Sequence, residues 1–122
     1  MTGMQTGRAA RGAVAYAAGH LAEDQVSRSY RTAGCAVLER RWRGKSGEID
    51  LIVREGETIV FVEVKKAATH AAAAERIDQR QIGRICRAAT EYAGPCADMR
   101  FDAALVDAEG RVEVIPNAFI LH

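Results

Sequence analysis

The sequence predicts an α/β domain with a central mixed five-stranded sheet flanked by helices. Three observations lead there. Two stretches carry apolar residues at helical spacing, one near the start of the chain and one past its middle. Between them lie three strand-like segments joined by short turns. Two more strand-like segments follow the second helix, which makes that helix a crossover and brings parallel pairing into the sheet.

Residues 1–9 read as a flexible lead and 10–122 as a single domain, since a chain of 122 residues supports one core and not two. Over 10–33, Leu21 or Ala22, Val26, Tyr30 and Ala33 recur at helix spacing, with Glu23 at the edge of the stripe and Gly34 as the stop. Residues 35–42 read as a strand that is apolar at its start and basic at its end, and 44–47 as a loop. Residues 48–54 and 58–65 form a hairpin turning at Gly56. The Ala-rich stretch 66–74 has no clear period and fits a loop or an early helical turn. Residues 75–92 predict an amphipathic helix. Ile77, Ile82, Ile85, Ala89 and Tyr92 lie on one face, and Arg76, Arg80, Arg84, Arg87 and Glu91 on the other. Gly94 and Pro95 end it, and Met99–Val106 and 111–115 are the last two strands.

Composition is that of an ordinary globular protein, 48% hydrophobic and 27% charged. A net charge of +1 gives no general attraction to nucleic acid, so any basic surface must be local. Cys35, Cys86 and Cys96 match no zinc or redox spacing. They predict reduced thiols, at least two of them buried, and a cytoplasmic setting. Arg8 and Arg11 precede a small-residue run at 13–18 that faintly suggests a secretory signal, but the run is short and leads into His20, Glu23 and Asp24. Nothing is long and apolar enough to span a membrane.

The chemistry gathers on the second and third strands. A turn centred on Gly56 and Glu57 sets Asp50 directly opposite Glu63, with neighbouring strands about 4.8 Å apart. Like charges placed so require a proton or a cation between them. Both sit in apolar runs, and a buried carboxylate is rarely kept without a partner. Mg²⁺ takes oxygen ligands and would leave positions for water and a phosphate oxygen. Lys65, two residues past Glu63, shares its face and could orient the water or neutralise developing charge. The same register sets Glu48 opposite Lys65, so plain cross-strand ion pairs also account for the spacing.

Gly47-Glu48-Ile49-Asp50-Leu51-Ile52 and Phe61-Val62-Glu63-Val64-Lys65 resemble the YraN-like family of small bacterial proteins. That family belongs to the PD-(D/E)XK superfamily of restriction-endonuclease-like folds, with archaeal Holliday-junction resolvases among its enzymatic relatives. The resemblance runs on through Glu23-Asp24 with Tyr30 and Gly34, Arg41-Trp42-Arg43, Arg100-Phe101-Asp102 and Asn117-Ala118-Phe119. It implies a restriction-endonuclease-like sheet. It implies that Asp50, Glu63 and the main-chain carbonyl of Val64 bind Mg²⁺ or Mn²⁺, that Lys65 is the catalytic lysine, and that Glu23 reaches toward the metal from the first helix through water. Two departures stand out: Gln81 occupies a position where relatives often have lysine, and 66–74 lacks the Arg, Ser and Gly often found after the lysine.

Arg41, Arg43 and Lys45 around Trp42, and Arg80 and Arg84 on the second helix, are candidates for holding a nucleic-acid backbone. The alternative is that these charges are solvated and Trp42 plugs the core edge. His20, His70 and His122 have no metal-ligand spacing, and Asp102 reads as structural, capping a turn or pairing with Arg100. The expected function is a metal-dependent nuclease acting on DNA rather than RNA, branched or single-stranded. The alternatives are a non-catalytic nucleic-acid-binding module of the same fold and a protein-interaction domain whose charges are only ion pairs. No membrane partner is expected, and a symmetric junction as substrate would require a homodimer.

Overall fold

A computed structural model describes the backbone of residues 7–118 and the side chains of residues 20–118 apart from Gln79. The order of elements is α1 (Gly7–Thr32), β1 (Ala36–Gly44), β2 (Gly47–Glu55), β3 (Thr58–Lys66), α2 (His70–Ala74), α3 (Gln79–Ala93), β4 (Met99–Val106) and β5 (Val112–Ile115). The strands form one mixed sheet in the order β1-β2-β3-β4-β5. Only the β3–β4 pair is parallel. The α2–α3 segment supplies its crossover, as a parallel connection requires. This is the five-stranded mixed sheet with flanking helices that the sequence predicts, and it is consistent with a restriction-endonuclease-like fold.

Two helices cover the sheet because its strands present apolar side chains to both sides. Leu51, Val53, Val60, Val62, Ala104 and Val106 pack with Ala22, Val26 and Tyr30 of α1. Ile49, Ile52 and Phe61 pack with Ala88 and Ala89 of α3. Each large apolar side chain buried this way contributes about 1.5–3 kcal/mol. The hairpin closes at Glu55 and Thr58, with Gly56 at φ 61°, a left-handed conformation that glycine adopts without a steric penalty.

Several boundaries differ from those the sequence predicts. The predicted 75–92 helix begins only at Gln79: α2, capped by Thr69, is the early helical turn within 66–74, residues 75–78 connect the two, and α3 starts after Asp78, whose carboxylate accepts the Arg80 N–H. Asp is a strong N-cap, so it starts a new helix rather than sitting inside one. Arg76 consequently lies in the connection, off the α3 ridge. Helix α1 includes residues 7–9, and residues 1–6 and Phe119 lie outside the described residues. Of the three cysteines only Cys35 is fully buried, while Cys86 is half-buried and Cys96 exposed, so the expectation of at least two buried thiols is corrected. The reason is position: Cys86 sits at the margin of the α3 contact and Cys96 in the turn after α3. Among the described residues no helix is long and apolar enough to cross a membrane.

Candidate active site

The strand alternation slips at Asp50. Leu51 and Val53 face α1 while Ile52 faces α3, yet Ile49 also joins the α3 side. The β2–β3 ladder stops at Leu51 and Val62. One step further, where Asp50 and Glu63 would pair, the Asp50 carboxylate enters the gap and accepts the Val64 N–H at 2.8 Å. A strand residue's N–H and C=O point to the same edge, so the Val64 carbonyl faces this gap too. On the far side of β2, Arg41 of β1 takes a left-handed conformation with φ 53°.

Glu63 lies two residues past Phe61, hence on the α3 side of β3. Its carboxyl is within hydrogen-bonding reach of Asp50. Burial, and then Asp50 beside it, push the Glu63 carboxyl well above the usual range, to about 8, against the opposing pull of Lys65 and Arg84. Lys65 Nζ lies 3.7 Å from Glu63 Oε1, and both side chains are largely buried. Arg84 lies across Gly47 so closely that a Cβ there would sit 2.8 Å from its Cδ. The proposed ligands and the lysine therefore converge, with one arginine beside them.

Other candidates are placed differently. Glu23 is buried on α1, where Arg41 Nε donates to its Oε1 at 2.7 Å. Among the described residues no three His, Cys, Asp or Glu side chains converge at metal-ligand spacing, so Glu23 is not set as a direct third ligand beside Asp50 and Glu63. Arg41 is thus engaged with Glu23, and its neighbour Arg40 pairs with Asp24. The Glu48–Lys65 cross-strand pair is absent, because the ladder has opened before that point, and Glu48 binds Arg43 at 3.0 Å instead. Arg43, Lys45, Arg80 and Arg84 are exposed. Trp42 plugs the core edge, edge-on to Tyr92 with ring centroids 5.3 Å apart. Gln81 sits half-buried in the first turn of α3.

The donor set suits a hard cation: two carboxylates and a carbonyl, all oxygen, in a partly closed gap. With no cation, the proton retained by Glu63 separates the two acidic groups.

The profile of the uncharacterised protein family UPF0102 matches residues 22–106, which run from the C-terminal part of α1 to the end of β4. The chain belongs to that family. Proteins of the same UPF0102 name lie close to it. One from Cereibacter sphaeroides strain KD131 is 55% identical over 113 residues, covering 88% of this chain and 97% of the relative. One from Ruegeria pomeroyi is 47% identical, covering 91% and 94%, and one from Dinoroseobacter shibae is 46% identical, covering 90% and 86%. The matched UPF0102 span contains Glu23, Asp50, Glu63, Lys65 and Arg84.

Two features of the UPF0102 chain had little signal in the sequence. Glu91 accepts the backbone N–H groups of Lys45 and Ser46 at 2.7 and 3.2 Å; nothing local marks a helical glutamate as the seat of a loop 45 residues away. Asp102 does pair with Arg100 as predicted, but it also accepts Tyr30 Oη at 2.8 Å and the Asn117 N–H at 3.1 Å.

Proposed function

We propose that this chain is a metal-dependent nuclease of the PD-(D/E)XK type that hydrolyses phosphodiesters in DNA rather than RNA. The observation that carries the reading is the buried Asp50–Glu63 pair beside Lys65, set where the β2–β3 ladder opens. Asp50, Glu63 and the Val64 carbonyl would hold Mg²⁺ or Mn²⁺. Bound there, the ion would polarise a phosphate oxygen and lower the pKa of a coordinated water. Lys65, its ammonium beside Glu63, is positioned to orient the attacking water and to offset charge developing on the phosphate. Arg84, with Arg80, Arg43 and Lys45, would hold the flanking backbone. Three free thiols suit a reducing compartment such as the cytoplasm. A branched, symmetric substrate would require a two-fold dimer.

The test is a cleavage panel over duplex, single-stranded, flapped and four-way DNA with Mg²⁺ or Mn²⁺. Cleavage is expected in metal alone and lost by about 10²–10⁴-fold in Lys65→Ala and Asp50→Asn. No metal-dependent cleavage of any substrate would overturn the reading. One observation favours a second reading, a nucleic-acid-binding module without catalysis: Glu23 is held by Arg41 and supplies no third carboxylate. That reading expects salt-sensitive binding that survives both substitutions.

A further inference from the structure

The β1–β2 tip carries an anion-binding arrangement of its own. The consecutive N–H groups of Lys45 and Ser46 converge on the two oxygens of one carboxylate, at 2.7 Å to Oε1 and 3.2 Å to Oε2 of Glu91. The Ser46 side chain and the Lys45 charge lie beside that carboxylate. These contacts, the Lys45 N–H first, hold the Glu91 carboxyl below its usual range. Successive backbone N–H groups in a turn form a concavity that selects anions, and phosphate is their common ligand.

Two facts separate this contact from a structural fastening. Glu91 is exposed, so its side chain can turn into solvent without uncovering the core. The tip is also held independently, by Trp42 against Tyr92 and by the Arg84 stem over Gly47. Gly44 allows this close seating, since a Cβ there would lie 2.5 Å from the Trp42 ring and 2.6 Å from Glu91 Oε1. The cradle therefore persists when the carboxylate leaves. Around it, Arg87 lies one turn before Glu91 on α3, and Lys45 is exposed.

We propose that the Lys45–Ser46 tip is a phosphate-binding cradle, that Glu91 fills it as an internal mimic of the ligand, and that a nucleic-acid backbone phosphate displaces the carboxylate. The source of the phosphate rests on the nucleic-acid reading above, while the cradle rests on the donors at the tip. Glu91 then acts as a competitor, and its removal strengthens binding where loss of a merely structural contact would weaken it.

The experiment compares the full chain with Glu91→Ala and Glu91→Gln by amide NMR, first with inorganic phosphate against chloride at equal ionic strength, then with a short single-stranded and a duplex oligonucleotide in EDTA. In both variants the Lys45 and Ser46 amides are expected to shift saturably with phosphate, at about tenfold lower concentration than in the parent chain. Oligonucleotide affinity is expected to rise about threefold or more, and the slope of log K against log salt to steepen by about one. Thermal melting confirms that the variants fold. Adding Ser46→Pro to Glu91→Gln, which deletes one donor, is expected to abolish the gain. Three results each overturn the proposal: no saturable shift at these amides in either variant, an affinity that is unchanged or lower, or shifts with phosphate and none with oligonucleotide. Absence of cleavage with these shifts intact would remove the nuclease reading and leave the cradle standing.

Discussion

The Val64 N–H donates to Oδ2 of Asp50 at 2.8 Å, so a side chain takes over where the strand ladder has ended. That one bond fixes the orientation of a carboxylate on β2 relative to the backbone of β3. It also orders the opening between the strands, because the N–H that would otherwise be stranded there is satisfied. The proposed ligand set is thereby organised before any ion arrives.

Removing that acceptor should therefore cost stability, independent of catalysis. Asp50→Ala is expected to lower the urea-unfolding free energy by about 1–3 kcal/mol, the usual penalty for an orphaned buried N–H. Asp50→Asn keeps an oxygen at the same reach and should lose less than half as much. Equal losses in the two variants would show that the bond is not what holds the gap.

The Glu63 carboxyl makes the metal-free protein pH-sensitive. Its ordinary value is 4.5, and burial with Asp50 alongside raises it to about 8. Between those values the folded state binds more protons than the unfolded state, so stability falls as pH rises across that window. In EDTA, the unfolding free energy is expected to drop by on the order of 3 kcal/mol from pH 5 to pH 8. Glu63→Gln should flatten the curve. Mn²⁺ should restore the melting temperature at pH 8 more than at pH 5, because ligation requires the deprotonated carboxyl. A profile that is flat in EDTA, or a curve unchanged by Glu63→Gln, would contradict the buried pair.

The fold follows from patterns the sequence displays openly. Asp50, Glu63 and Lys65 could be placed together because the Gly56 turn sets the register and strand side chains alternate. The same logic failed at Glu48 and Lys65, since it extended the ladder past the point where Asp50 breaks it. It also failed for the second helix, where apolar periodicity continued through Ile77 and hid the Asp78 cap. The partners of Glu23 and Glu91 are contacts across the fold, 18 and 45–46 residues apart in sequence. No local pattern encodes such distances.

The Arg100–Asp102 pair should act as an internal staple. Asp102 is fully buried, and four donors from Arg100, Tyr30 and Asn117 surround its oxygens. Arg100 also reaches Glu55 at the end of β2. Tyr30→Phe removes one donor from this buried carboxylate and should cost about 1–3 kcal/mol. Arg100→Ala leaves that charge without its counter-ion and should cost about 3–5 kcal/mol. Chemical denaturation of both variants checks the order. If Tyr30→Phe proves the more damaging of the two, the pair is not what compensates the buried charge.

Glu23 separates the role implied by family resemblance from the role shown by geometry. Resemblance points it toward the metal, whereas its Oε1 accepts from Arg41 at 2.7 Å on the α1 side. Arg41 in turn holds a left-handed backbone next to Asp50, so the Glu23–Arg41 pair braces β1 where the neighbouring strand slips. A brace and a ligand respond differently to Glu23→Gln. As a brace, the change is expected to lower stability by about 1–2 kcal/mol, since Arg41 is partly solvated and is not left as a buried charge. The rise in melting temperature on adding Mn²⁺ should then survive Glu23→Gln and vanish in Asp50→Asn. Loss of the Mn²⁺ effect in Glu23→Gln with stability preserved would instead make Glu23 a third acidic group at the metal. The Arg41 pair would then have to open when the ion binds.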